Sequence, residues 1–110
     1  MNELRWRPPQ PITDWSGVRS ATDYGTGCPA LASGNGPQTV DEDCLFINVQ
    51  RPTGTRRGAG LPVFVFLHGG GGVSGSSTQH DGTKFVREGR IMVITLNYRL
   101  GSSAPLVSRS

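Results

Sequence analysis

The chain has little with which to build a core and few groups suited to the commoner chemistries. Its 110 residues are 35% hydrophobic against 16 glycines and 8 prolines, a thin apolar share that makes independent stability doubtful. No stretch approaches the ~18 apolar residues of a membrane-spanning helix, the longest apolar run being residues 63–67. The opening MNELRWRPPQP contains no apolar h-region, so this chain shows no signal peptide. Two cysteines and two histidines, with no CxxC pair and no histidine cluster, argue against a metal site, and no cofactor motif is present. The ten arginines are scattered and only Arg56 and Arg57 are adjacent, so the net charge of +3 does not point to nucleic acid. That charge is uneven. Residues 1–55 carry four arginines against six acids, and residues 56–110 carry seven basic residues against two acids.

What is present begins with turn formers. Pro8, Pro9, Pro11, Gly17, Gly25, Gly27, Pro29, Gly34, Gly36 and Pro37 interrupt any periodicity, and residues 1–44 read as an extended loop region. Residues 45–49 form a short strand candidate ended by Arg51-Pro52, and residues 53–60 a polar, glycine-rich linker. Residues 61–67 and 91–96 are nearly uninterrupted β-branched and aromatic runs, the pattern of strands buried on both faces, and residues 83–89 can form a short helical turn. The order predicts part of an α/β sheet. Cys28 and Cys44 lie 16 residues apart. A disulfide closing a short loop, which would imply an oxidising compartment, and two free thiols are both compatible with that spacing.

The apolar run 61–67 breaks into His68 and four consecutive glycines, residues 69–72. Without Cβ atoms the backbone can approach a reacting carbonyl and aim several N–H groups at a developing oxyanion. Such a run also reads as a plain flexible turn. A phosphate cradle is the weaker alternative, since Ser76-Ser77-Thr78 has no lysine nearby and no GxGxxG opens a helix. His68, a lone histidine beside this loop, can be mistaken for a general base. His80, next to Asp81, reads as a solvated loop residue.

Five blocks, in order, carry a resemblance: Arg5-Trp6-Arg7-Pro8-Pro9, Trp15-Ser16-Gly17-Val18, Glu42-Asp43-Cys44-Leu45-Phe46-Ile47-Asn48-Val49, His68-Gly69-Gly70-Gly71 and Asn97-Tyr98-Arg99-Leu100-Gly101. Over residues 3–101 the chain resembles the type-B carboxylesterase and cholinesterase family. The resemblance implies an α/β-hydrolase fold, of which this chain would supply the N-terminal strands of the central sheet and their loops. It implies hydrolysis of small-molecule carboxylic esters by a Ser, Glu/Asp and His triad, without a cofactor. It assigns Gly70 and Gly71 as oxyanion donors, with a third N–H from the residue after the nucleophile, and makes His68 and Gly69 structural parts of the loop. It pairs Cys28 with Cys44 and Arg5 with Glu42, the latter as a salt bridge. The disulfide would suit a secreted parent protein.

The departures matter as much. Gly72 stands where relatives carry a bulky apolar residue, which would loosen the acyl pocket. The nucleophile elbow G-x-S-x-G is missing. Gly72-Val73-Ser74-Gly75 and Gly101-Ser102-Ser103-Ala104-Pro105 come nearest and fail its spacing. Met1 falls inside the family's usual N-terminal pattern, and residues 102–110 form a divergent tail. The expectation is therefore one carboxylesterase domain represented by its N-terminal part: loop region 1–44, strands and oxyanion loop 45–101, tail 102–110. Two functions follow, a carboxylic ester hydrolase whose nucleophile, acid and base lie outside this sequence, or a non-catalytic product, either a catalytically inactive truncated chain or an esterase-like interaction module. Unsupported by further elements, Val63, Phe64, Val65, Phe66, Val93 and Ile94 should expose apolar surface.

Overall fold

A computed structural model describes residues 3, 6–34 and 38–101. Among them, no helix or regular strand precedes residue 47; Ala30 and Thr39 form a bridge, exchanging backbone hydrogen bonds of 3.1 and 3.0 Å. Four elements follow: β1 (Ile47–Gln50), β2 (Val63–Leu67), α1 (Thr83–Gly89) and β3 (Met92–Leu96). The strands start one or two residues later than the apolar runs suggest, for local reasons. At Leu45 the chain bends, because the Phe46 N–H turns back to the Cys44 carbonyl at 2.9 Å. Pro62 has no N–H to give, and its carbonyl instead opens the ladder by accepting from Met92 at 2.9 Å.

The sheet order is β1-β3-β2, with β1 antiparallel and β2 parallel to β3. The strand that is last in sequence is thus central in space. Side chains directly opposite one another share a face, so the register Asn48↔Thr95, Gln50↔Val93, Phe64↔Val93 and Phe66↔Thr95 defines one side of the sheet. Its other side is wholly aliphatic apart from a methionine: Ile47, Val49, Val63, Val65, Leu67, Met92, Ile94 and Leu96. Nothing among the described residues covers that second side at β1 and β2, where the first five of these are more than half exposed.

The expectation of strands buried on both faces is therefore overturned, and for β2 no residue is fully buried on either. A seven-residue helix is too small to cover more than one patch of one face. It sits on the Val93 side, burying Val86 and stacking Phe85 on Phe64 at 5.9 Å. Val93 itself, expected to be bare, is 3% exposed. The cause is Gly82: a Cβ there would lie 2.7 Å from Val93 Cγ1, so its absence lets the helix start descend onto the strand. The Gly82 N–H is held by Gln50 Oε1 at 3.0 Å. Val63, Phe64 and Val65 are exposed as expected. Among the described residues no helix is long and apolar enough to cross a membrane.

A core of buried residues lies at the end of the sheet where β3 finishes. Cys28 and Cys44 form a disulfide with Cα atoms 4.8 Å apart, and both are about 1% exposed beside Leu100, Ala30 and Tyr98. The pairing expected from the family resemblance is the one observed.

Candidate functional site

The glycine run leaves β2 at that same end. The Val73 N–H donates to the Gly70 carbonyl at 3.2 Å and closes a turn whose central residues, Gly71 and Gly72, have φ of 66° and 76°. Two successive positive φ values are the requirement of a type I′ turn, which consecutive glycines meet without steric cost. At Gly70, φ is 132° and a Cβ would collide with the Ser74 carbonyl oxygen. The turn is held from behind. Ser74 Oγ donates to the Gly70 carbonyl at 3.2 Å, and the Gly101 N–H to the Gly72 carbonyl at 2.6 Å. The Gly70 and Gly72 carbonyls are thus engaged on the protein side, whereas no acceptor among the described residues takes the N–H of Gly70 or Gly71.

Asn97 organises the loop's continuation. It ends the apolar run of β3 and is buried, with its side chain fully used: Oδ1 accepts from the Ser77 N–H at 2.8 Å, and Nδ2 donates to the Thr26 carbonyl at 2.9 Å and the Cys44 carbonyl at 3.0 Å. One side chain therefore joins the strand end, the disulfide segment and the serine-rich stretch after the glycines. Asn48 on β1 repeats the device on a smaller scale, donating to Ser77 Oγ at 2.8 Å and Thr95 Oγ1 at 3.1 Å. Sequence reasoning quoted both asparagines as motif letters and gave neither a role. The available signal was a polar residue inside or closing an otherwise apolar strand, a position it can hold only if hydrogen-bonded.

His68 is 3% exposed. Its ring stacks on Tyr98 at 4.3 Å and 9°, and the Tyr98 hydroxyl donates to the His68 carbonyl. Nδ1 faces the Gly69 carbonyl at 3.0 Å, so it carries the proton. Nε2 is then a buried acceptor without a partner among the described residues. His80 is exposed and meets Phe66 edge-on at 4.8 Å. Neither histidine forms a hydrogen bond with a serine among the described residues, and the buried serines are otherwise occupied: Ser74 with Gly70, Ser76 Oγ with Thr78 Oγ1 at 2.7 Å, and Ser77 with Asn48. No nucleophile–base pair is assembled among the described residues. Nor is there a group of three or more His, Cys, Asp or Glu that could hold a metal.

Of the remaining expected site residues, Gly69 lies at the surface between His68 and the turn. Glu42 is half-buried, and its expected partner Arg5 lies outside the described residues. Asp81 precedes α1. Its carboxylate is held below the usual aspartate value, chiefly by the Thr83 hydroxyl and then by the Gln50 amide, with the Thr83 N–H adding to them.

Comparison with known proteins accounts for the arrangement. The family model described as "Carboxylesterase family" matches residues 1–104. A duck (Anas platyrhynchos) protein, "Fatty acyl-CoA hydrolase precursor, medium chain", is 39% identical over 111 residues, 89% of this chain and 20% of its own. A "Fumonisin B1 esterase" of Sphingopyxis macrogoltabida is 37% identical over 106 residues, 92% of this chain and 19% of its own. Among solved structures, a "PNB esterase" superimposes with a TM-score of 0.80 at 36% identity, covering 92% of this chain and 22% of that one. The chain thus spans about a fifth of the length of the relatives it matches. Its three strands and helix are a part of the α/β-hydrolase fold. With the match running through the loop region, the glycine turn and β3, the chain belongs to the carboxylesterase family.

Proposed function

We propose that residues 68–72 are the oxyanion loop of a carboxylic ester hydrolase, with the N–H groups of Gly70 and Gly71 as its donors. The observation that carries this reading is the uneven use of the turn: its Gly70 and Gly72 carbonyls are bonded inward to Val73, Ser74 and Gly101, and the N–H groups of Gly70 and Gly71 are left for a ligand. A donor placed in this way contributes roughly 2.7 to 4 kcal/mol to a tetrahedral transition state, provided it is fixed before the reaction. Tyr98, Asn97 and the disulfide segment provide the fixing. His68 is a positioning residue, its ring clamped by Tyr98 while its backbone leads into the turn. The nucleophile, acid and base belong to sequence beyond these 110 residues. The names of the relatives, a fatty acyl-CoA hydrolase and a fumonisin esterase, support acyl ester substrates as the class.

The test grafts residues 3–101 into the matching segment of the PNB esterase and measures hydrolysis of p-nitrophenyl acetate. The graft should turn over, and Gly70→Ala in it should lower kcat by about 10²-fold with KM changed little, because the new Cβ displaces the turn from the reacting carbon. Unchanged kcat in the Gly70→Ala graft would refute the assignment. The 110-residue chain alone should show no turnover above a denatured control, and labelling of any of its serines by a fluorophosphonate would overturn the placement of the nucleophile elsewhere.

A further inference from the structure

The opposite end of the sheet gathers positive charge that the sequence keeps apart. Because β1 runs antiparallel to β3 and β2 parallel to it, the end of β1 and the starts of β2 and β3 coincide. Arg51 follows β1, Arg56 and Arg57 lie in the loop before β2, and Arg90 caps α1 just before β3. Arg56, Arg57 and Arg90 line one concavity of about 400 Å³ together with Gly54, Thr55, Gly58, Ala59 and Leu61. Arg90 sits there in the left-handed conformation, φ 49° and ψ 47°, which turns the chain out of α1 beside the loop. All three arginines are exposed, and among the described residues none forms an ion pair. Arg51 Nη1 braces the loop by donating to the Thr55 carbonyl at 2.8 Å.

Like charges on three residues lining one hollow disfavour one another, and an anion of more than one charge among them would relieve that. Each also presents a planar fork that matches the oxygens of a phosphate or sulfate better than a point charge would. The concavity is shallow and open to solvent, so an anion can reach it without any rearrangement. We propose that this concavity binds a multiply charged oxyanion of the phosphate-ester class through Arg56, Arg57 and Arg90, at a site separate from the glycine loop.

The test is a titration of the full 110-residue chain with inorganic pyrophosphate at fixed ionic strength, following the arginine Nε–H signals by NMR. Saturable shifts at Arg56, Arg57 and Arg90, with Arg7 and Arg19 unmoved, are expected. The triple variant Arg56→Gln/Arg57→Gln/Arg90→Gln should lose at least about tenfold in affinity, and the corresponding triple lysine variant should recover only part of it. Should either variant fail to fold, the wild-type map decides by itself. Shifts spread evenly over all arginines, no saturation, or a triple glutamine variant that folds and binds as wild type would overturn the proposal, and so would tighter binding of an oligo-glutamate peptide than of pyrophosphate. Sedimentation with phosphatidylcholine vesicles, with and without phosphatidic acid, separates the sources. Co-sedimentation that requires phosphatidic acid and the three arginines supports a lipid headgroup, and pyrophosphate binding without it supports a soluble phosphate ester.

Discussion

The two ends of the three-stranded sheet are built by opposite means. Where β2 and β3 finish, backbone and side chains from residues distant in sequence converge on a few polar hubs: Asn97 reaches Thr26, Cys44 and Ser77, and Tyr98 reaches His68. Where those strands begin, Gln50 reaches Asp81 and Gly82, but the loop before β2 is ordered locally. Thr55 bonds back to Pro52 and Ala59 to Arg56, and Arg51, Arg56, Arg57 and Arg90 are all exposed. The difference teaches what each end can tolerate. On the functions proposed for the two ends, a loop that holds N–H groups in place for chemistry needs cross-links of long sequence span, whereas a surface that recognises an anion by charge can stay on a short, exposed turn.

The sharpest way to break the contrast is Asn97→Leu, which removes three hydrogen bonds, two of them buried, and strands the Ser77 N–H and the Thr26 carbonyl. A loss of about 4 kcal/mol, read from urea unfolding, is expected; a loss below about 1 kcal/mol would mean the network is ornamental. Next comes Cys28→Ser/Cys44→Ser. Closing a loop of this span contributes about 3 kcal/mol, and the same urea midpoint should report most of it, with amide exchange rising first at Gly75, Ser76 and Ser77 and not at Thr55 or Gly58. The smallest effect belongs to the other end. The Asp81 carboxyl is held below its ordinary value of 3.8 by Thr83 and Gln50. Its stabilisation is therefore complete above that pH and is lost as the pH falls through the lowered value. Asp81→Asn should be slightly less stable than wild type at pH ~6, by a small margin since Asp81 is fully exposed, and the difference should shrink on acidification. A difference that grows on acidification would reverse the assignment.

How far the sequence disclosed this molecule depends on the range of the interaction. The runs at 61–67 and 91–96 and the turn at 83–89 were legible within two residues, because β-branched content and glycine punctuation act locally. The disulfide was legible through the family resemblance, since spacing left two readings open. The burial of Val93 was not, for it depends on Gly82 lacking a side chain eleven residues away. Nor was the meeting of Arg90 with Arg56 and Arg57, which requires knowing that β3 lies between β1 and β2. Asn48 and Asn97 were visible as letters, but their partners lie 20 to 71 residues away and no periodicity points to them.

The reach of Asn97 has a counterpart in time. Its bonds close over 71, 53 and 20 residues, and contacts of such separation form only after the intervening chain has been gathered. The stretch after the glycine turn therefore cannot settle until the disulfide segment has arrived and β3 has docked between its neighbours. The turn Gly70–Val73 closes early by itself, since its hydrogen bond spans three residues. Orientation of that turn comes last, which makes it the first feature a destabilised chain gives up while its strands are still paired.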